Sequence, residues 1–293
     1  MSEKSSEKNS HVLNIIAENA EALARALRDL GEPVWLAAGR AFDIPVGKDT
    51  AVLNRAREIA GAESVDMNLI PIANRRKSLL VADMDSTIIS CECLDELADM
   101  AGLKPKVAAI TERAMKGEIE FAPALRERVA LLKGLPLSAL QRVYDERVRL
   151  NPGAKTLLAT MRAHGAKTLL VSGGFTFFTT RVAAAAGFET EQANILLDDG
   201  THLAGEVAEP ILGREAKLQA LEHAARKAGI DFTDTLAVGD GANDLAMIGR
   251  AGLGVAYHAK PVVAAAAAAR IDHGNLTALL YLQGYREDEF VTN

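Results

Sequence analysis

The sequence LLVADMDST occupies residues 79–87, where an unbroken apolar run ends at two aspartates, Asp83 and Asp85. Short apolar runs without polar alternation are typical of strands that are buried on both faces of a sheet. Three further runs share this pattern and lie at 168–171, 235–238 and 252–255. Segments with helical periodicity accompany them, at 153–164, 175–186, 214–229 and 243–250. This alternation predicts an α/β fold built on a parallel sheet.

The other segments predict three additions to this sheet. Residues 93–150 have helical periodicity and no strand-like run, which predicts a helical cap inserted after the first strand. Residues 194–209 predict a β-hairpin with Asp199-Gly200 at its turn. Residues 11–74 mix short apolar runs with helical patterns, as in a small α+β domain. That domain is a candidate regulatory module, but it contains no motif that we connect with chemistry.

Composition describes the start of the chain and the link between the two domains. Residues 1–10 (MSEKSSEKNS) are polar and charged, so we expect a disordered N-terminus that is not a secretory signal. The segment from Pro71 to Lys77 predicts a linker, and the main domain follows over 78–293. The basic triplet at 75–77 is short, and we interpret it as part of a solvated linker.

The overall composition argues against several kinds of partner. The chain has 293 residues and a net charge of -6, whereas binding to nucleic acid depends on clustered Lys and Arg. No run approaches the roughly 20 apolar residues of a membrane helix, so we expect no membrane partner. Cys91 and Cys93 are the only cysteines, which is typical of a protein of the reducing cytoplasm. Both a monomer and a homodimer fit the sequence.

Side chains suited to chemistry follow three of the predicted strands and lie on one predicted helix. They are Asp83 and Asp85, Ser172 with Gly173 and Gly174, Asp240 with Asn243 and Asp244, and Lys217. Because open α/β sheets bind ligands at the carboxyl ends of their strands, we expect these groups to converge. Carboxylates so close together need a compensating cation, and a hydroxyl with glycine N–H groups at a helix start suits a phosphate. Each motif alone is more often an ordinary turn, so the hypothesis depends on their joint placement.

Four segments are similar to a known family. They are VADMDSTIISCECLDELA (81–98), AMKGEIEFAPALRERVALLKGLP (114–136), LVSGGF (170–175) and AVGDGANDLAMI (237–248). Through them the chain resembles the haloacid dehalogenase superfamily of phosphatases, and within it the phosphoserine phosphatases. The resemblance implies a Rossmann-like parallel-sheet core with an inserted helical cap. It also implies a cytoplasmic enzyme that hydrolyses O-phosphoserine in the last step of serine biosynthesis.

The same resemblance implies a role for each residue of the core motifs. Asp83 would attack phosphorus to form an aspartyl-phosphate, and Asp85 would act first as general acid and then as general base. Mg²⁺ would be bound by Asp83, by the backbone carbonyl of Asp85 and by Asp240. Asp244 would orient Lys217 or a water molecule without binding the ion itself. The groups that hold the phosphoryl oxygens would be Ser172, Gly173, Lys217 and Asn243.

The cap would select the substrate. O-phosphoserine carries an ammonium and a carboxylate, and the resemblance assigns the ammonium to Glu92 and the carboxylate to Arg128. A guanidinium suits this task because its planar fork forms two parallel hydrogen bonds with a carboxylate. Phe121 and Met115 would close the pocket. Without the surrounding match, Glu92 and Arg128 would be interpreted as ordinary surface residues.

Three other functions stay open at this point. A phosphatase or phosphotransferase of the same superfamily that acts on phosphohomoserine, or on another small phospho-amino acid, would use the same residues. A non-enzymatic phosphate sensor on the same fold is disfavoured, because such a protein would be expected to lack Asp83 or Asp85. A dinucleotide-binding enzyme is disfavoured more strongly, because no G-x-G-x-x-G motif opens a helix after the first strand.

Overall fold

Two main sheets organise the chain, and the computed structural model describes residues 9–61, 64–115 and 118–292. The N-terminal domain contains, in chain order, β1 (His11–Ala17), α1 (Ala20–Ala26), a 3₁₀ turn (Arg28–Leu30), β2 (Val34–Ala37), β3 (Ala41–Val46), α2 (Ala51–Ala60) and β4 (Val65–Pro71). Its strands pair antiparallel in the order β2-β3-β1-β4. Leu13, Ile15 and Phe42 are fully buried between this sheet and the two helices.

The main domain is built on a parallel sheet. The strands after β4 are β5 (Leu79–Ala82), β6 (Lys167–Phe175), β7 (Thr190–Asn194), β8 (Leu196–Asp198), β9 (Leu203–Val207), β10 (Thr235–Gly239), β11 (Leu253–Tyr257) and β12 (Ala269–Ile271). Six of them form one sheet in the order β12-β11-β10-β5-β6-β7, and every neighbouring pair is parallel. All side chains of β5 and β10 are buried, as the unbroken apolar runs predict. The predicted α/β fold class is confirmed.

Helices cover this sheet and form the cap. In chain order they are α3 (Cys93–Met100), α4 (Lys104–Met115), α5 (Phe121–Ala130), α6 (Ser138–Arg147), α7 (Ala154–Ala163), α8 (Thr176–Ala186), α9 (Arg214–Ala228), α10 (Leu245–Arg250), α11 (Pro261–Ala266) and α12 (Ala278–Leu282). The cap consists of α3 to α6 and is inserted between β5 and β6. The strands β8 and β9 pair antiparallel, and the Asp199 carboxylate accepts backbone N–H groups of Thr201 and His202 at the turn between them.

Several elements do not follow from the sequence patterns. The edge strand β7 reads TEQAN and is polar because an edge strand is only partly covered, and β12 at the opposite edge has three residues. The strands β3 and β4 were not predicted because buried polar residues such as Asp43 and Asp66 interrupt their apolar patterns. Disorder is predicted for residues 1–10, and residues 1–8 of this segment lie outside the described residues. Among the described helices, none has the length and apolar character needed to cross a membrane.

The interpretation of residues 75–77 as a solvated linker is wrong for Arg75 and Lys77, whereas Arg76 is exposed. Arg75 donates hydrogen bonds to both carboxylate oxygens of Asp43, at 2.6 and 2.9 Å, and to the carbonyl of Leu282 at 2.8 Å. Lys77 is buried and donates to the carbonyl of Thr233 at 2.6 Å. The cations of this segment are therefore held by acceptors from both domains, and the link between the domains is fixed.

Candidate active site

Three neighbouring strands bring the predicted site residues to one edge of the main sheet. Asp83 directly follows β5, Asp240 directly follows β10, and Ser172 and Gly173 lie near the end of β6. Strand β5 lies between β10 and β6, and the backbone N–H of Asp83 donates to the carbonyl of Val238 at 3.0 Å. Because parallel neighbours end at the same edge, residues distant in sequence share one pocket.

An acidic cluster lies at this edge. Carboxylate oxygens of Asp83, Asp240 and Asp244 lie within 4.8 Å of one another. Lys217, near the start of α9, is 2% exposed, and its ammonium lies 2.6 Å from both Asp83 and Asp244. The second oxygen of Asp244 accepts the backbone N–H of Gly241 at 3.0 Å. Asp244 is thus held between the lysine and its own loop.

This cluster carries more negative than positive charge. Burial, and next the charge of Asp244, raises the pKa of Asp83 well above its usual value. Burial, and next the same carboxylate, raises the pKa of Asp240 to about 6. Burial lowers the pKa of Lys217, but Asp83 and Asp244 outweigh it and the net shift is upward. One ammonium does not neutralise three carboxylates, so the residues present fit a bound divalent cation.

The Asp85 carboxylate is directed at the cap and at β6. One oxygen accepts the backbone N–H of Cys93 at 2.9 Å, and the other accepts the hydroxyl of Ser172 at 3.1 Å. Burial, and next the charge of Glu92, raises the pKa of Asp85 to about 6 in spite of these hydrogen bonds. A carboxyl group with a pKa near neutrality can both donate and accept a proton at physiological pH. The Asp85 side chain therefore has a different environment from the acidic cluster.

A tight polar turn lies beside Asp85. The hydroxyl of Ser172 accepts the backbone N–H of Gly174 at 2.8 Å. A Cβ atom at Gly174 would lie 3.0 Å from that hydroxyl and 3.1 Å from a carboxylate oxygen of Asp85, so a larger residue would require these side chains to shift. Gly173 and Asn243 line the same pocket as Asp83 and Asp85. Asn243 lies in a 3₁₀ turn (Ala242–Asp244). These polar groups can bind anionic oxygens close to Asp83.

The cap and the core enclose a cavity of about 420 Å³. Glu92 and Arg128 line it from the cap, and Asp83 and Asp240 line it from the core. Burial lowers the pKa of the Arg128 guanidinium, and the charges of Asp95 and Glu92 act against this shift. The cavity therefore offers a carboxylate and a guanidinium in addition to the acidic cluster.

Phe121 lies between the cap and two glycines of the core. A Cβ atom on Gly173 would lie 3.3 Å from the Phe121 ring, and a Cβ atom on Gly213 would lie 3.2 Å from it. The ring therefore packs directly on the backbone of the core and forms a wall of the cavity. The side chain of Met115, which the resemblance also assigns to this wall, lies outside what the structure describes.

Several residues in and beside the cavity were not predicted. Ser86 lines the cavity and donates to Glu92 at 2.6 Å, and the buried Thr87 donates to Asp240 at 3.4 Å. Lys260 lines the cavity, and its backbone N–H donates to the carbonyl of Asp240 at 3.1 Å. Lys260 follows the end of β11 by three residues, so the expectation that ligand groups follow the strands would have found it.

The segment that contains this site is similar to known proteins. A family model described as haloacid dehalogenase-like hydrolase matches residues 80–249, which contain the whole acidic cluster. A phosphoserine phosphatase of Polaromonas sp. is 48% identical over 209 residues, which cover 70% of this chain and 89% of that protein.

Two solved structures are similar to this chain over different lengths. The unliganded form of a probable phosphoserine phosphatase from Vibrio cholerae has a TM-score of 0.80 and 32% identity, and the match covers 95% of this chain and 87% of that one. A substrate-bound phosphoserine phosphatase complex has a TM-score of 0.65 and 36% identity, and the match covers 70% of this chain and 97% of that one. The first match is long enough to include most of the N-terminal domain.

Proposed function

The chain belongs to the haloacid dehalogenase-like hydrolase family, and from this premise we propose that it is a phosphoserine phosphatase. It would hydrolyse O-phosphoserine to serine and inorganic phosphate, the last step of serine biosynthesis. One observation carries the proposal: a single cavity is lined by Asp83 and Asp240 and also by Glu92 and Arg128. A phospho-amino acid has a phosphate, an ammonium and a carboxylate, and this cavity offers a partner for each.

In this proposal Asp83 is the nucleophile. Its carboxylate attacks phosphorus, the bond from phosphorus to the serine oxygen breaks, and the aspartyl-phosphate that forms is hydrolysed by water. Asp85 gives a proton to the departing serine oxygen and later takes a proton from the attacking water. The pKa of about 6 of Asp85 supports both tasks.

Polar groups around Asp83 position the substrate. The phosphoryl oxygens are held by Ser172, Gly173, Lys217 and Asn243, and electrostatic positioning of this kind is the main contribution a protein makes to phosphoryl transfer. Glu92 pairs with the substrate ammonium and Arg128 with its carboxylate. Phe121 excludes water on the cap side, which is supported by its contact with the glycines below it.

Mg²⁺ is the proposed cofactor. Asp83, Asp240 and the backbone carbonyl of Asp85 would bind it, because Mg²⁺ prefers a few carboxylate and carbonyl oxygens and keeps several waters. When bound, the ion supplies positive charge beside the phosphoryl group. Asp244 keeps Lys217 in place through their 2.6 Å contact. The excess negative charge of the buried acidic cluster supports this assignment.

Release of phosphate from O-phosphoserine tests the proposed function. We expect turnover with Mg²⁺, a loss of roughly 100-fold or more with excess chelator, and recovery when Mg²⁺ is restored. Measurement of kcat/KM for phosphothreonine and phosphohomoserine in the same assay compares the related substrates. Higher kcat/KM for phosphohomoserine would favour the related phosphatase, and binding of phosphoserine without phosphate release would favour a sensor.

Replacement of Arg128 by alanine tests the assignment of the substrate carboxylate. Loss of a buried charged hydrogen-bond partner costs about 2–5 kcal/mol, so we expect kcat/KM for phosphoserine to fall roughly 30-fold or more. An aryl phosphate lacks that carboxylate and makes no ion pair with Arg128, so its kcat/KM should fall less than about threefold. Arg126→Ala is the matched control, because Arg126 lies on the same helix and is 53% exposed. Equal losses on both substrates in Arg128→Ala would contradict the assignment.

We also propose a cytoplasmic location, which the free thiols of Cys91 and Cys93 support. The acidic character of the chain and of its cavity supports a small-molecule partner rather than nucleic acid. A dinucleotide-binding role is not favoured, because the glycines at the end of β6 are already covered by protein side chains, Gly173 by Phe121 and Gly174 by Ser172 and Asp85.

A further inference from the structure

The N-terminal domain touches the main domain through buried polar side chains. Asp66, on β4, is 2% exposed. One of its carboxylate oxygens accepts the backbone N–H groups of Asp272 and His273, at 2.7 and 3.1 Å. The other oxygen accepts the backbone N–H of Gly274 at 2.7 Å. Three consecutive N–H groups of a main-domain loop therefore converge on one carboxylate of the other domain.

The neighbouring residue on the same face of β4 extends this contact. Asn68 accepts the backbone N–H of Arg270 at 2.8 Å and donates to the carbonyl of the same residue at 2.9 Å. The amide side chain thus pairs with the backbone of Arg270 in β12, the edge strand of the main sheet. Because charged hydrogen bonds in buried surroundings are stronger than neutral ones, Asp66 is the stronger of the two attachments.

The loop 272–274, which is bound by Asp66, also forms a hydrogen bond with His258. The carbonyl of Gly274 accepts a hydrogen bond from Nε2 of His258 at 2.9 Å. His258 has φ of 44°, a left-handed conformation that is uncommon for a residue other than glycine and needs support from its surroundings. The backbone N–H of His258 also donates to Ile271 at 2.8 Å. The conformation of His258 therefore depends on the loop 272–274.

The turn that begins at His258 ends at the active site. Two residues later, the backbone N–H of Lys260 donates to the carbonyl of Asp240 at 3.1 Å. The side chain of Lys260 lines the 420 Å³ cavity, and its charge lowers the pKa of Asp240 against the effect of burial. Hydrogen bonds at Gly274 and at Lys260, joined through the backbone of residues 258–260, thus connect Asp66 with the main chain of Asp240.

We propose that Asp66 and His258 are positioning residues, through which the N-terminal domain fixes the 258–260 turn and, with it, Lys260 and the main chain of Asp240. The inference rests on the proposed function only in taking Asp240 as an active-site residue. It gives the N-terminal domain a role in the geometry of the active site, because removal of one carboxylate in that domain loosens a turn that borders the acidic cluster.

Amide hydrogen exchange at Lys260 is the direct test, because its N–H bonds to Asp240. In Asp66→Asn, one of the two accepting oxygens becomes a donor, and we expect Lys260 to exchange about tenfold faster than in the wild type. Affinity for Mn²⁺, measured by titration calorimetry without substrate, should weaken by about tenfold. Loss of hydrogen-bond partners around metal ligands usually has an effect of this size. Neither measurement requires turnover.

Asp43→Asn is the matched control. Asp43 is also a buried carboxylate at the domain boundary, where it pairs with Arg75 at 2.6 Å, but no hydrogen bond leads from it to the 258–260 turn among the described residues. Both variants should lower the free energy of unfolding, whereas only Asp66→Asn should change exchange at Lys260 and Mn²⁺ affinity. Equal changes in the two variants, or none in Asp66→Asn, would overturn the inference.

Variants of His258 test the other end of this connection and serve if Asp66→Asn does not fold. His258→Leu removes the donor to Gly274 and should accelerate exchange at Lys260 about tenfold. His258→Gln retains an N–H donor and should stay within about threefold of the wild type. Wild-type exchange in His258→Leu would overturn the inference. Failure to hydrolyse phosphoserine would instead contradict the proposed function and leave these exchange results valid.

Discussion

Asp83→Asn is expected to lower the rate of phosphoserine hydrolysis by roughly 10⁴-fold or more, which is typical when a nucleophile is removed. The amide of asparagine has nearly the shape of the carboxylate, but it does not attack phosphorus. The protein should remain folded, because Lys217 keeps its 2.6 Å contact with Asp244. Phosphate release under single-turnover conditions measures this effect.

The same variant makes a prediction for stability. The pKa of Asp83 is raised by burial, and next by Asp244, so its ionised form is disfavoured in the folded state. A carboxyl group whose pKa is raised on folding contributes stability that is complete below its unfolded-state pKa and is lost as the pH rises through the folded-state pKa. In chelator at neutral pH, Asp83→Asn should therefore unfold at the same temperature as the wild type or higher. Hydrolysis within about 100-fold of the wild type would show that another group attacks phosphorus.

Lys217→Met is expected to abolish turnover and also to destabilise the metal-free protein by about 3–5 kcal/mol, the usual cost of removing one partner of a buried ion pair. The ammonium lies between Asp83 and Asp244, and methionine would leave both carboxylates buried without a cation. The raised pKa of Lys217 means that this charge is present throughout the neutral range, so its loss is felt there. Urea unfolding in chelator measures the change.

A surface lysine provides the control for this variant. Lys167 lies 3.3 Å from Glu189 but is 60% exposed, and Lys167→Met should cost less than about 1 kcal/mol. Mg²⁺ should restore part of the stability of Lys217→Met, because an ion that binds only the folded state stabilises it by mass action. A loss below about 1 kcal/mol in chelator would mean that Lys217 does not compensate the acidic cluster.

The strands that carry the site were predictable because their apolar runs are local and unbroken. The runs ending at Asp83 and at Asp240 become the central strands β5 and β10, which are buried along their whole length. Parallel strands end at one edge, so the convergence of those aspartates follows from their place after each run. The polar edge strand β7 and the three-residue β12 carry no such pattern and were missed.

The contacts between residues of the site were less predictable from the sequence than the identity of those residues. The sequence indicates that Lys217 supplies positive charge, but its simultaneous contact with Asp83 and Asp244 depends on where α9 packs on the sheet. The separate direction of the Asp85 carboxylate, toward Ser172, is likewise invisible in the spacing of the two aspartates. The position of Lys260 at the cavity depends on the 258–260 turn, which contacts segments that are distant in sequence.

Apolar periodicity and the order of motifs along the chain were sufficient to identify the parallel sheet, its inserted cap and the acidic edge, since burial of apolar runs depends mainly on neighbours in sequence. The pairing of Arg75 with Asp43, and of Asp66 with the loop 272–274, arose only when the two domains packed together. A buried charge requires a partner close in space, and that partner can lie anywhere in the sequence. In both cases it lies more than 30 residues away, so local sequence patterns do not reveal it.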